Sequence, residues 1–200
     1  MMRTPEAVVQ RIRSAFRARS LPDGDPIFLS HSFEVDAQTI ERLARQTTWT
    51  DFPRDVLRAN PLALAFMPPA AFAWLLPAYL LVAIELYSET DTLTTTLLTC
   101  LTPPAKSDAH EFEALEDEMR DLDPDLLLDA SPPARVDDDD ALVQLFTERV
   151  AALTPDEKEA IRDYLEYVDA VHGADFPVCG PRHALDRYWG EIARAGEGER

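Results

Sequence analysis

Lysine, glycine and cysteine are all scarce in this chain of 200 residues, and each scarcity closes a class of function. Six glycines form no glycine-rich phosphate loop and no G-x-S-x-G nucleophile elbow. Cys100 and Cys179 lie 79 positions apart, a separation that fits neither a metal nor a redox motif, and two cysteines make no disulfide framework. A reduced, cytoplasmic chain is therefore expected. Positive charge is short as well: 19 basic against 37 acidic residues leave a formal charge of −18. Residues 1–60 carry +1 and residues 61–200 carry −19, so the larger part of the chain repels nucleic-acid phosphates and anionic bilayers. No nucleic acid and no membrane is expected as a partner. A basic protein is the complementary expectation. There is no internal repeat.

What is abundant is proline. Sixteen prolines punctuate a series of helix starts. Thr4-Pro5 reads as an N-cap followed by the first helical position. Val8, Ile12, Ala15 and Phe16 then share one helical face, with Arg11, Arg13 and Arg17 elsewhere. That pattern suits a helix docked on a core better than a targeting segment, which would need either a continuous apolar core or a membrane-facing surface. In "IFLSHSFEV", Ile27, Leu29, His31, Phe33 and Val35 alternate. A lone strand has no pairing partner, so residues 26–35 are predicted to be an extended connector or an edge piece. Asp36 should cap a helix to about Gln46. A short helix should run from Pro53 to about Ala59. "DTLTTTLLTCL" reads as a threonine-rich helix. "TPDEKEAIRDYLEYVDAVHG" opens on a capping box, with Thr154 at the N-cap, Pro155 at N1 and Glu157 at N3. Its stripe is Ile161, Leu165 and Val168, and Gly173 ends it. "GPRHALDRYWGEIARA" reads as a last helix.

Between Pro61 and Ile84 there is no charge at all. A bilayer span needs about 20 apolar residues. Pro68-Pro69 must start the helix, which leaves Ala70–Ile84, about 22 Å of helix against a hydrocarbon core of about 30 Å. The downstream flank "ELYSETD" is acidic, and only Arg54 and Arg58 lie upstream. Phe72, Leu76, Tyr79, Ala83 and Leu86 line one face, while Trp74, Ala78 and Leu81 line the opposite one. A helix apolar all round belongs inside a protein. The expected fold is thus mostly α: a single-domain multi-helix bundle over residues 1–200, built around a central apolar helix at about 70–87. Pro77 should kink that helix. Glu85, on the Trp74 face near the helix end, either reaches solvent or meets an arginine of the first helices. Residues 103–140 read as an acidic, Pro-rich insertion or linker.

Trp49, then "LALAFMPPAAFAWLLPAYL", then "TPDEKEAIRDYLEYV" and "ALDRYW" make a pattern that resembles a bacterial family known only as a domain of unknown function. That family shows a tryptophan, a Phe-Leu-x-Pro-x-Ala-Phe-x-x-Tyr-Leu-Pro-Ala-Tyr-Leu core and a capped C-terminal helix. Phe66, Pro69, Phe72, Leu76, Pro77, Ala78, Tyr79 and Leu80 match the core. Met67 and Leu75 depart from it. The likeness runs from about Val8 to Trp189. It implies an intracellular, mostly helical protein and supplies no activity, substrate or catalytic residue.

The residues themselves offer few chemical constellations. Glu166, Asp169 and His172 share part of a helix face, and His183 could complete a metal site from elsewhere. "HEFEALE" at His110 lacks the second histidine of a zincin, since position 114 is alanine. Cys179 lies four residues before His183. The alternative to each is a solvated face or a structural loop, and no cofactor is expected. Trp49 and Trp189 either plug the core or share an aromatic binding patch. Asp108–Asp140 holds 14 acids against Arg120 and Arg135, a net −12.

That segment, with Glu113, Glu116, Asp117, Glu118, Asp121 and Asp123, is either a solvated stretch or a docking surface. The leading expectation is a non-enzymatic interaction module that uses its acidic surface on a basic partner, as an immunity protein does. A metal-dependent or cysteine-based hydrolase with a site across helices near His172 and His183 is one alternative. A structural homo-oligomer subunit is another.

Overall fold

Short side chains start three of the helices. The Thr4 hydroxyl accepts the Ala7 N–H at 3.3 Å and begins α1 (Pro5–Ala15). The Asp36 carboxylate accepts the Thr39 N–H at 3.1 Å and begins α2 (Ala37–Ala44). Each satisfies a backbone donor that the first helical turn leaves unpaired. The computed structural model describes residues 3–29, 36–104, 139–176 and 180–191. After α2 come a 3-10 turn (Trp49–Asp51), α3 (Arg54–Ala59), a second 3-10 turn (Ala63–Phe66) and α4 (Pro69–Glu85). Then follow α5 (Asp91–Leu101), α6 (Asp139–Ala151), α7 (Pro155–His172) and α8 (Pro181–Ala184). No strand occurs among the described residues. The fold is mostly α and multi-helical, as the capping and periodicity imply.

Residues 1–103 and 145–200 form one compact unit, and 104–144 a second, of which Pro104 and the first six residues of α6 are described. The first unit is organised around α4. Every residue from Ala71 to Ala83 is buried. Burial on all sides is what its uncharged sequence requires in water. No helix of the described residues is long and apolar enough to cross a membrane. The helix continues through Pro77, which lacks an N–H and so leaves the Ala73 carbonyl without its intrahelical donor. It ends at Glu85, two residues before the expected limit, because a 3-10 turn takes over at Tyr87–Glu89.

Around α4 the other helices are held by polar ties as well as apolar area. α1 lies against α7 and α4, with Val8, Ile12 and Phe16 in the core. The α7 capping box is complete: Thr154 N–H donates to Glu157 at 2.8 Å, and Glu157 N–H donates to Thr154 at 3.3 Å. Glu157 also binds Arg19 of the chain just after α1, whose Nε donates to it at 2.8 Å. Asn60 is a buried junction. Its side chain accepts the Asp36 N–H at 2.7 Å and donates to the Val56 carbonyl at 2.9 Å. Its own carbonyl accepts the Tyr79 hydroxyl at 2.7 Å. The start of α2, the end of α3 and the middle of α4 thus meet on one residue.

Arg149 of α6 is the other buried tie, only 6% exposed. Its Nε and Nη2 donate to the carbonyls of Met67, Ala65 and Leu64 at 2.6–3.3 Å. Its guanidinium lies 4.7 Å from the Phe72 ring centre. Burial lowers its pKa from the ordinary arginine value. The arginine thereby caps the C-terminal carbonyls of the 63–66 turn.

Two details differ from the expected pattern. Ile27 and Phe28 are both buried while Leu29 is exposed, so the alternation does not hold where the connector is described; there the Leu29 N–H donates to the Phe66 carbonyl at 2.8 Å. The last helix is two pieces: α8 runs straight into a π turn at Leu185–Trp189, which widens the coil by one residue.

Candidate functional site

Of the residues singled out for partner binding, Glu113, Glu116, Asp117, Glu118, Asp121 and Asp123 lie outside the described residues, as does Cys179. Of the two readings offered for Trp49 and Trp189, burial favours core packing over a shared exposed patch. Trp49 is buried with its indole N–H donating to the Phe16 carbonyl at 3.1 Å. Trp189 is fully buried and donates to the Leu101 carbonyl at 2.6 Å. Both rings carry a polar tip, and both spend it on a carbonyl at the C-terminal end of a neighbouring helix. Trp49 also lines the cleft described below, whereas Trp189 is fully enclosed.

The helix face proposed for a metal is already committed. Asp169 pairs with Arg182, and Glu166 lies 3.5 Å from Arg3 and 3.3 Å from Arg162. His172 stacks on Tyr87 with ring centres 3.5 Å apart. The Tyr87 hydroxyl donates to Asp175 at 2.9 Å, and the same carboxylate is 3.6 Å from His172 Nδ1. Among the described residues no three His, Cys, Asp or Glu side chains are grouped to hold a metal. Deeper in, the Tyr164 hydroxyl is buried without a hydrogen bond, and burial raises its pKa above the ordinary tyrosine value. Burial likewise pushes the Cys100 thiol up to about 11, which keeps it protonated and unreactive at neutral pH.

The arrangement with the most chemical character is a cleft of about 170 Å³ on the Trp74 face of α4. Ala78, Leu81 and Val82 form its floor, one helical turn of small and branched residues beyond Pro77. Trp49 and Phe52 form one wall, carried by the 3-10 turn. That turn is braced by the Thr48 hydroxyl, which donates to Asp51 at 2.7 Å. The Phe52 ring is set edge-on to Trp74 at 6.0 Å. Arg13 of α1 and Arg54 of α3 stand at the mouth, 48% and 54% exposed.

Both arginines face Glu85. Arg54 pairs with it closely, and Arg13 approaches to 3.7 Å, an ionic contact too long for a hydrogen bond. Of the two readings of Glu85, solvent or an arginine of the first helices, the second is the one present. The carboxylate sits at the C-terminal end of α4, where the helix dipole disfavours an anion, and two guanidiniums offset that cost. What the sequence did not reveal is the apolar cleft beneath them. The i, i+3, i+4 spacing of Ala78, Leu81 and Val82 marks a helix face, yet only the packing of the 49–52 turn decides whether that face is covered.

The class defined by these observations is a mostly α protein with an arginine-rimmed apolar cleft and a strongly acidic segment. A model described only as a family of unknown function, DUF6714, matches residues 5–123, and the chain belongs to that family. The match takes in α1 to α5 and every residue of the cleft. α7 and α8 lie beyond it, so the resemblance that continued to Trp189 is matched through residue 123. A search of curated proteins and one of solved structures each returned no match.

Proposed function

We propose that this protein is a non-enzymatic interaction module that masks a basic partner with its 108–140 segment, in the manner of an immunity protein. The observation that supports this most is the uneven charge. Residues 108–140 hold −12 of the total −18. In the first unit, by contrast, carboxylates are matched to arginines: Asp163 to Arg3, Glu157 to Arg19, Glu85 to Arg54, Glu89 to Arg58 and Asp169 to Arg182. Two thirds of the surplus negative charge is therefore concentrated in one stretch, which in this reading is an insertion in the helical domain. A concentrated field speeds the approach of an oppositely charged protein and orients it. A reducing cytoplasm is the compartment this reading assigns, since nothing in the cysteine pattern calls for oxidation.

The test is the association rate of a purified basic partner. Neutralising Glu116, Asp117, Glu118 and Asp121 together should slow association by about tenfold at low salt and leave melting unchanged. Raising the salt should slow the native protein in the same way. A partner that binds the neutralised variant at the native rate refutes the reading.

A further inference from the structure

The cleft beneath Arg13 and Arg54 lies outside residues 108–140, and its chemistry is of the opposite sign. Two guanidiniums share Glu85 as their one carboxylate within 4 Å among the described residues, so their N–H donors outnumber the carboxylate oxygens they face. Arg13 makes no hydrogen bond to Glu85, and each guanidinium has five N–H donors in a planar fork matched to a carboxylate. Besides the two arginines the cleft is lined by Thr50 and by apolar side chains, among them Phe52, Leu57 and Leu81. An apolar cavity of roughly 150 Å³ is large enough to take a benzene ring, so a cleft of about 170 Å³ has room for one ring or one branched alkyl group. A cation at the rim and a ring-sized apolar floor together select one ligand shape: a short monocarboxylate with a single apolar group.

We infer that this cleft is a binding site for a small aryl or branched-alkyl monocarboxylate, its carboxylate held between Arg13 and Arg54 and its apolar group resting on Ala78, Leu81 and Val82. The ligand completes a pairing of two cations with two anions and leaves Glu85 in place. The braced 48–51 turn fixes the Trp49 and Phe52 wall beforehand, so little ordering opposes binding. The net charge of the chain repels the anion at long range, but that field fades beyond about 8 Å at physiological salt. Affinity is accordingly modest, with a Kd of about 1 mM or somewhat tighter.

The probe is phenylacetate, titrated into the full chain while the Trp49 indole N–H signal is followed by NMR. Phenylacetamide, which has the same shape without charge, and acetate, which has the charge without the ring, are the controls. Phenylacetate should saturate the shift, and both controls should bind at least about tenfold more weakly, as expected for a charge-assisted hydrogen bond and for a buried ring respectively. Arg13→Gln, on an exposed position, should weaken phenylacetate about fivefold to tenfold. Ala78→Leu fills the floor and should abolish the saturable shift. Failure of phenylacetate to saturate at about 20 mM, well above the expected Kd, overturns the inference. So does equal binding of the amide, or unchanged binding by the Arg13→Gln variant. The acidic segment plays no part in these measurements, so their failure leaves the masking reading standing.

Discussion

Replacing Arg149 with methionine removes a charged head from the core while keeping an unbranched apolar stem of similar length. The carbonyls of Ala65 and Met67 then lose their arginine donor, while that of Leu64 keeps the Met67 N–H at 3.3 Å. An unmet buried carbonyl costs about 1–3 kcal/mol, and a desolvated cation–π contact such as that with Phe72 contributes about 1–2 kcal/mol. Against these stands the desolvation of the guanidinium, several kcal/mol, which methionine no longer incurs. Water reaching the half-buried Ala65 offsets part of the loss. The balance is a destabilisation of about 3 kcal/mol, a large share of the roughly 5–15 kcal/mol that holds a typical domain. Urea unfolding followed by circular dichroism reads it directly. With a slope of about 2 kcal/mol per molar, the midpoint falls by about 1.5 M. Arg149→Lys retains the charge but concentrates its donors on one nitrogen, so it should fall between the two. A methionine variant whose midpoint drops by less than about 0.5 M, with unchanged slope, would refute the capping role assigned to this arginine.

Trp189→Phe loses the bond to the Leu101 carbonyl and leaves a small void, so its melting temperature should fall by about 4–8 °C, the equivalent of about 2 kcal/mol. Thr154→Ala removes half of the α7 capping box and should cost about 1 kcal/mol by urea titration, whereas Thr154→Ser should be close to neutral. Asp36 gives the pH test. Hydrogen bonds from Thr39, its side chain ahead of its backbone N–H, hold the Asp36 carboxyl below the ordinary aspartate value. Its contribution is present above the unfolded value of about 3.9 and is lost as pH falls through the lower folded value. Asp36→Asn, which caps at any pH, should therefore gain on the native protein in melts at about pH 3 relative to those at about pH 7.

The features legible in the sequence are those decided within a few residues. Thr4, Asp36 and Thr154 could be placed because a cap is chosen by the next three backbone N–H groups. α4 could be placed because an uncharged stretch too short to span a bilayer has to be buried. Glu85 was half legible: its position at the wrong end of a helix dipole asked for a cation, but the sequence could not say that Arg13 and Arg54 would both answer. Arg149 was not legible at all. An arginine on an acidic helix reads as surface, and its burial is decided by carbonyls some 80 positions earlier in the chain. The tryptophans were legible as core or as contact surface, and their burial, with each N–H bound to a neighbouring carbonyl, favours the first. The π turn at Leu185–Trp189 left no trace, since the residues that widen a coil are the same ones that continue it.

All three indoles are sheltered from solvent, at 3%, 2% and 0% exposure for Trp49, Trp74 and Trp189. The chain thus carries its own optical gauges: one beside the arginine-rimmed cleft, one on the central helix and one at the C-terminal turn. Versions keeping a single fluorophore would show whether these places come apart in concert or in sequence when the protein is denatured, with no dye or label attached.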